Sequence, residues 1–544
     1  MRRDLRKPVP GAVPRQGKII PFQIPYKGMN ARAPYAAMSP EYAILMTNTF
    51  VESYGIRTRK GYAEWATNLP GTGDVGSMLS YFPASAAYGG TVPGGTLFAA
   101  RGASLYNVTL GGAGPWTAEV GVTGTTPYWN GINFQNVAGA FLCLCNEDGG
   151  YAYYNGTAWA TPTAGAGVGQ INGADPATFS YVMEWKKRLW FIPKNSTKAW
   201  YLPVEQITGT VTSFDFGAQF KHGGQLQYLV NWTVDGGAGI DDLLVAISSQ
   251  GDVVIYSGID PSDPTSFSMQ GVWYVGPLPK GRRAVSVTGG DVYILCQYGL
   301  IPLSKLLSKG SQEENISLSY NIDPVIARLM QSTSNIQGWQ LIDLPKEELR
   351  VITIPVNSND LDYTGAILAY KTLTQTWSVL KDLPVTCMVN VTEDIFAGDA
   401  NGRVLRAFYG TLDNVQIGSN SGNGIKCQII PAYQSLENPG YNKSIKLVRP
   451  AFLASFLPAY SLQILTNYSD AKMAFYPSLP PEQGALWDSA IWDVSLWAGS
   501  RTVWMQWAGC SGHGIVATIQ LAYTSGGDTV LTAIDAWVIP GGPM

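Results

Sequence analysis

LWFIPKNSTKAWYL, residues 189–202, reads as an apolar strand, a polar turn and a second strand rich in aromatics. An apolar run, a polar turn at Lys194-Asn195-Ser196 and a second aromatic-containing run suit an antiparallel hairpin. The same pattern recurs as LFAARGASLYNV (97–108), FLCLCNEDGGYAYY (141–154), LLVAISSQGDVVIY (243–256) and VYILCQYGLIPL (292–303). It continues in the longer LRVITIPVNSNDLDYTGAILAY (349–370) and in IFAGDANGRVLRAFY (395–409). Starts at 97, 141, 189, 243, 292, 349 and 395 lie 44 to 57 residues apart. A further candidate strand precedes the hairpins, as at Met78–Phe82, Phe179–Trp185, Leu226–Trp232 and Met388–Val391. A fourth, carrying Trp116, Trp159, Phe214, Trp273 or Trp377, follows most of them. Four antiparallel strands in that span form one blade of a β-propeller, so the repeat predicts an all-β propeller of six or seven blades. Unrelated hairpins in stacked sandwiches are the competing reading.

The flanks break the period. A Pro-rich arm covers residues 1–27, and residues 28–70 form an N-terminal segment in which Ser39, Pro40 and Glu41 predict a short capped helix. A second helix is expected from Asp323-Pro324 through Met330, inside the interrupted fifth unit. The propeller is assigned to 71–424. Residues 425–544 are read as a β-sandwich-like domain holding Trp487, Trp492, Trp497, Trp504, Trp507 and Trp537, six of the chain's 17 tryptophans. Subunit contacts are expected in 28–70 and in this last domain.

Composition narrows the function classes. With 46% hydrophobic and 14% charged residues in 544, the chain is too apolar for disorder and too weakly charged for a coiled coil. A net charge of -3 does not mark a tight nucleic-acid binder. No run approaches the roughly 18 apolar residues of a membrane span, so no stable membrane insertion is expected. Cys143, Cys145, Cys296, Cys387, Cys427 and Cys510 show no CxxC spacing and read as reduced core thiols.

Signals for chemistry are thin. His222 and His513 are the two histidines, nearly 300 residues apart and each beside Gly, so a Ser-His-Asp triad or a multi-histidine metal site is hard to build. GTGDVG, with Gly71, Gly73 and Gly76, matches a nucleotide-binding spacing but follows Leu69-Pro70 without a βαβ unit. The paired acids Asp241-Asp242, Asp260 with Asp263, and Glu347-Glu348 are the glycosidase candidates. Asp260-Pro261-Ser262-Asp263-Pro264 has the composition of a turn, and adjacent strand residues such as Asp241 and Asp242 point to opposite faces. No catalytic, cofactor-binding or metal-ligating residue is therefore assigned.

The segment VVIYSGIDPSDPTSFSMQGVWYVGPLPKGRRAVSVTGGDVYILCQYGLIPLSKLL (253–307) resembles the tail nozzle or tail tubular proteins of short-tailed bacteriophages. There a tyrosine-glycine-proline turn, a GxPxGRR turn and a GGDxYxLxxxGLxPLS strand pair follow in this order. GMNARAPYAAMSPEYAILMTNTFVESYGIRTRKGY (28–62) is similar to that family's opening, and PGYNKSIKLVRPAF (439–452) and the Trp-rich end are similar too. Two departures are Val51-Glu52-Ser53, where relatives carry a Pro-containing turn, and Lys280 ahead of Gly281-Arg282-Arg283. The resemblance implies a non-enzymatic virion protein, a homohexamer beneath an adaptor ring that carries tail fibres or tailspikes. Its channel would retain double-stranded DNA, pass it transiently and release it on infection. A propeller that cleaves or binds glycans is the alternative.

Two sets of residues follow as candidates. Arg2, Arg3, Arg6, Lys7, Arg15 and Lys18, opposed by Asp4 alone, form a basic arm expected to dock on an acidic neighbouring ring. Gly-rich loops at 161–174 (Gly165, Gly167, Gly169) and 233–239 (Gly236, Gly237, Gly239) are the expected channel gates.

Overall fold

A computed structural model describes residues 16–83, 95–235, 240–263, 265–309, 316–355, 366–437, 439–455, 457–470, 474–478 and 501–543. The chain forms two compact units: one takes 29–32 and 59–425, the other 1–28, 33–58 and 426–544.

The larger unit is a β-propeller. Among the described residues seven antiparallel sheets follow one another in sequence. The first comprises Val75–Tyr81, Thr96–Arg101 and Ser104–Asn107; the second Trp129–Asn136, Gly139–Asn146, Tyr151–Tyr154 and Trp159–Ala160. The third holds Phe179–Trp185, Arg188–Pro193, Lys198–Tyr201 and Thr212–Asp215, and the fourth Leu226–Asp235, Ile240–Ser248, Asp252–Gly258 and Phe267–Tyr274. Val285–Thr288, Asp291–Cys296 and Gly299–Pro302 make the fifth. Gln340–Leu344, Leu349–Thr353, Ile367–Lys371 and Thr376–Leu380 make the sixth. The leading strand of each sheet packs on that of the next, and Cys387–Val391 of the seventh packs on Val75–Tyr81 of the first, which closes the ring.

That seventh sheet continues with Asp394–Gly398 and Val404–Ala407, and its fourth strand is Tyr62–Ala66, far upstream in sequence. Pairing the unit's two ends in one sheet ties the ring by backbone hydrogen bonds. The tie is reinforced by ion pairs. Arg59 grips Asp413 with both terminal nitrogens at 2.7 Å, and Arg403 spans Asp399 at 2.7 Å and Glu64 at 2.9 Å.

Local chemistry explains the hairpins. Between Trp185 and Arg188 the turn residues Lys186 and Lys187 both have positive φ, 49° and 55°, the mirror-image turn whose twist matches that of the strands. Trp185 and Trp190 are fully buried in one apolar layer with Leu244, Val254 and Phe267 of the next sheet. Cys143 and Cys145 share a face, as their spacing predicts, and pack with Phe179 and Phe191. Burial pushes the Cys143 thiol up to about 12. All six cysteines are free thiols, five of them buried.

Two helices interrupt the region of the fifth sheet: α1 (Leu303–Lys309) and α2 (Asp323–Thr333). In α2 the first-turn Pro324 and the buried positions Val325, Ile326, Leu329, Met330 and Thr333 match the sequence reading. The helix expected at Ser39 is absent. Ser39–Tyr42 is a turn closed by Tyr42 N–H to Ser39 O at 3.1 Å, and the chain then extends as Ala43–Thr47. Pairing of Ala43–Thr47 with Ile425–Pro431 outweighs a capping signal worth at most one marginal turn. Trp116, expected on a strand, lies outside one and donates its indole N–H to Thr67 O at 2.7 Å.

The smaller unit is sandwich-like. One sheet centres on the long strands Tyr441–Ala454 and Val530–Pro543, joined by Lys18–Phe22, Thr49–Glu52, Gly55–Thr58, Thr502–Met505 and Ala508–Gly514. The other contains Ala43–Thr47, Ile425–Pro431, Ala517–Ser525 and Ala459–Thr466, and Phe452 of the first meets Tyr523 of the second. Trp504 and Trp537 are half-buried there and Arg449 sits over the Trp507 ring; Trp487, Trp492 and Trp497 lie outside the described residues. Among the described residues no helix is long and apolar enough to cross a membrane.

Candidate functional site at the hub of the ring

The link between the fourth and fifth sheets, Gly276-Pro277-Leu278-Pro279-Lys280-Gly281-Arg282-Arg283, runs through the propeller hub. Two prolines fix φ and remove donors, while Gly276 and Gly281 take φ of +101° and +113°, conformations that side-chain-bearing residues rarely adopt. The result is a turn most of whose bonded polar groups meet neighbouring strands.

Arg282 is buried and fully engaged. Its Nη2 donates to Ser180 Oγ at 2.8 Å, and its Nη1 donates to Leu226 O at 3.1 Å and to Gln227 O. Its backbone N–H reaches Glu147 Oε1 at 3.3 Å. Burial makes its positive charge easier to lose, the opposite of what nearby Glu147 does. Gln227 Nε2 donates to Pro279 O and Gly281 O at 2.7 and 2.8 Å. Tyr228 Oη donates to Gly281 O at 3.1 Å and accepts from Ala284 N–H at 2.9 Å; burial raises this phenol and pushes that of Tyr181 up to about 12. Arg283 donates to Gly76 O at 2.7 Å, and its own carbonyl accepts from Leu341 N–H at 2.7 Å. One eight-residue turn thus bonds to strands of the first, third, fourth and sixth sheets, and to Glu147 at the end of a strand of the second. The hub is filled with protein at this level.

Beside the turn opens a polar cavity of about 610 Å³, rimmed by Asp148, Lys194, Gln225, Gln250, Lys280 and Gln297 among others. A second cavity of about 530 Å³, lined by Asp74, Tyr128 and Thr386, shares Lys280, Asn335 and Gln337 with it. The Lys280 N–H to Ser334 O bond of 2.7 Å lies between these shared residues.

The residues singled out from sequence lie elsewhere. Arg2, Arg3, Arg6, Lys7 and Arg15 fall outside the described residues, as do Gly236, Gly237 and Gly239. Lys18 opens the strand Lys18–Phe22 and its ammonium sits 2.7 Å from Glu437. Gly165, Gly167 and Gly169 lie past Trp159–Ala160, the strand at the far end of its sheet from the hub. Their loop is cross-bonded: Gly165 N–H to Ile171 O at 2.9 Å and Gly167 N–H to Gln170 Oε1 at 2.8 Å.

The candidate catalytic groups have structural partners. Asp260 and Asp263 accept from Ser262 and Thr265, side chain and backbone, and these bonds hold both carboxyls below the usual range. Asp242 meets Lys186 at 3.2 Å, Glu347 meets Lys60 at 2.6 Å and Glu348 meets Lys371 at 3.1 Å. His222 Nδ1 lies 2.7 Å from Asp252 and its ring packs tilted against Tyr274; His513 Nδ1 lies 3.0 Å from Ser444 Oγ. In GTGDVG, a Cβ on Gly76 would come within 2.8 Å of Pro127, so that glycine permits close packing of strands. No group of His, Cys, Asp and Glu among the described residues could hold a metal ion.

Sequence reasoning missed Glu147, Gln227 and Tyr228, because their role arises only where separate sheets converge. Arg282 and Arg283 were legible only as part of the GxPxGRR turn that carries the resemblance, and their partners were not.

The sequence matches no protein-family profile and no curated protein significantly. Among solved structures the backbone is similar to YCF48 from Cyanidioschyzon merolae, covering 63% of this chain and 98% of that one at 11% identity and a TM-score of 0.34. It is also similar to apo AztD from Citrobacter koseri, covering 55% and 71% of the two chains at 11% identity and a TM-score of 0.25. The architecture described above rests on this chain's own strand pairing.

Proposed function

We propose that this chain is a structural virion protein, one subunit of a hexameric tail nozzle of a short-tailed phage. The observation that carries the reading is the role of the GPLPKGRR turn. The residues behind the resemblance are those that tie the propeller sheets together at the hub, so the motif has a mechanical reason to exist in a load-bearing body. A body so cross-bonded suits a wall held against genome pressure. Because the hub is filled, the duplex would pass through the ring of subunits and not through any one propeller. A net charge of -3 per subunit fits a conduit that avoids tight phosphate contacts.

The test is assembly. Six copies of a 58.7 kDa chain make a particle of about 350 kDa, which mass photometry and electron microscopy of the purified protein would reveal as a ring. A monodisperse monomer at high concentration, alone and with adaptor proteins, would refute the reading.

A further inference from the structure

We propose that the cavity beside the hub turn is a binding site for a neutral, hydroxyl-rich ligand, a short oligosaccharide, with Tyr298 as its stacking platform. This does not rest on the virion reading, since it concerns the face of a single propeller.

The first support is the donor set. Asn195, Gln225, Gln250, Gln297, Gln331 and Asn335 line the cavity, and no side-chain hydrogen bond of theirs occurs among the described residues. Each carboxamide offers two donors and an acceptor, the pairing that vicinal hydroxyls satisfy in turn. Elsewhere in this propeller amides are put to work: Asn130 bonds Ser180 and Val182, and Gln340 bonds Met388 through both its atoms. Six amides with donors and acceptors to spare thus line one concavity.

The second support is charge. Lys194 is bonded to Asp148, Arg282 is consumed by Ser180, Leu226 and Gln227, and Glu147 is held by Gln337 and the Arg283 guanidinium. Asp148 is held low chiefly by its bond from Lys194, and Lys280 leaves at most a small positive balance. A site for phosphate or an acidic chain would keep its cations unspent. A neutral polar ligand fits what remains.

Tyr298 supplies the third support. It follows Gln297 at the hairpin before Gly299–Pro302, is 57% exposed, and packs so closely on Gly276 that a Cβ there would fall 2.5 Å from its ring. Gly276 adjoins Pro277 of the cavity wall. Tyr298 is thus an exposed aromatic held against backbone, next in sequence to the lining residue Gln297, and its ring has the amphipathic character that stacks on a sugar face. The volume, about 610 Å³, falls within the roughly 300–1,000 Å³ usual for small-molecule sites.

The experiment uses the full chain and a panel of maltohexaose, cellohexaose, chitohexaose and mannohexaose, followed by saturation-transfer NMR and calorimetry up to about 10 mM. Inorganic phosphate and a neutral Gly/Ser hexapeptide form the comparison arms. The expected result is saturable binding of at least one glycan. Tyr298→Ala, and separately Gln225→Ala with Gln297→Ala, should weaken it about tenfold while the melting temperature stays put. Val137→Ala, at a 97% exposed hairpin turn of the second sheet, should change nothing. No saturable glycan binding, binding indifferent to these substitutions, or preferential binding of phosphate or peptide would each overturn the proposal.

Discussion

Replacing Arg282 with alanine should destabilise the propeller more than any single change at an exposed charge. The substitution strands three acceptors, Ser180 Oγ, Leu226 O and Gln227 O, in a site where the residue is 8% exposed. A buried acceptor left unpaired costs about 1–3 kcal/mol, and bonds to a charged donor lie at the upper end. Relaxation and water entry recover part of the sum, so a loss of about 3–5 kcal/mol is expected. Spread over a cooperative unit of roughly 370 residues, it lowers the melting temperature by about 5 °C. Differential scanning calorimetry measures it directly, with the fluorescence of fully buried Trp185, Trp190 and Trp339 as a second probe. Arg282→Lys keeps the charge but cannot span three acceptors, and should fall between. An Arg282→Ala protein melting within about 1 °C of the parent would refute the account of the hub as the point where the sheets are tied.

Arg59→Ala removes a bidentate grip on buried Asp413 and should cost about 3–5 kcal/mol, with hydrogen exchange accelerated first in Tyr62–Ala66. Deleting residues 2–15 should leave the melting temperature unchanged, since the Lys18–Phe22 strand is retained, and should lower co-purification with an adaptor ring if the arm docks there. Acid should act through Asp215 and Asp260, whose folded carboxyls are depressed by bonds from Gly217 N–H and from Ser262. Their contribution is intact above the unfolded value of about 3.9 and is lost as pH falls through the lower folded values. Asp323 and Asp413, raised by burial, act in the opposite sense, so the check is a difference: the fall in melting temperature from pH 6 to about pH 3 should be smaller in Asp215→Asn/Asp260→Asn than in the parent.

What the sequence revealed and what it hid divide along a physical line. Hairpins such as Phe179–Pro193 are written in adjacent residues, so their recurrence at a period of about fifty residues exposed the propeller. The closing strand Tyr62–Ala66 could not be seen this way, because its partner Val404–Ala407 lies more than 330 residues downstream and no local pattern encodes the pairing. The failed helix at Ser39 has the same origin: its cap signal is local, while Ala43–Thr47 is decided by Ile425–Pro431. At the hub the turn chemistry of Pro277, Pro279 and Gly281 was legible, but the convergence of Glu147, Ser180 and Gln227 on it is a property of the closed ring alone.

The filled hub also constrains how a conduit could be gated. A gate within one propeller would have to withdraw Arg282 and Arg283 from bonds to five sheets, and the same bonds hold the ring closed; opening would cost much of the stability of the unit. A gate between subunits carries no such penalty, because it moves segments that the ring closure does not use. The 161–174 loop meets that condition by position, at the outer end of its sheet, yet Gln170 and Ile171 pin its glycines through three hydrogen bonds. Moving it as one cross-bonded piece about its ends preserves those bonds, whereas unravelling it at Gly165 and Gly167 breaks them. On the nozzle reading proposed above, the loop would therefore swing as a hinged block and not as a floppy flap. Gln170→Ala, which frees Gly167 N–H and leaves the fold untouched, separates the two: a hinged gate should leak genome sooner on warming, and a flap should not respond.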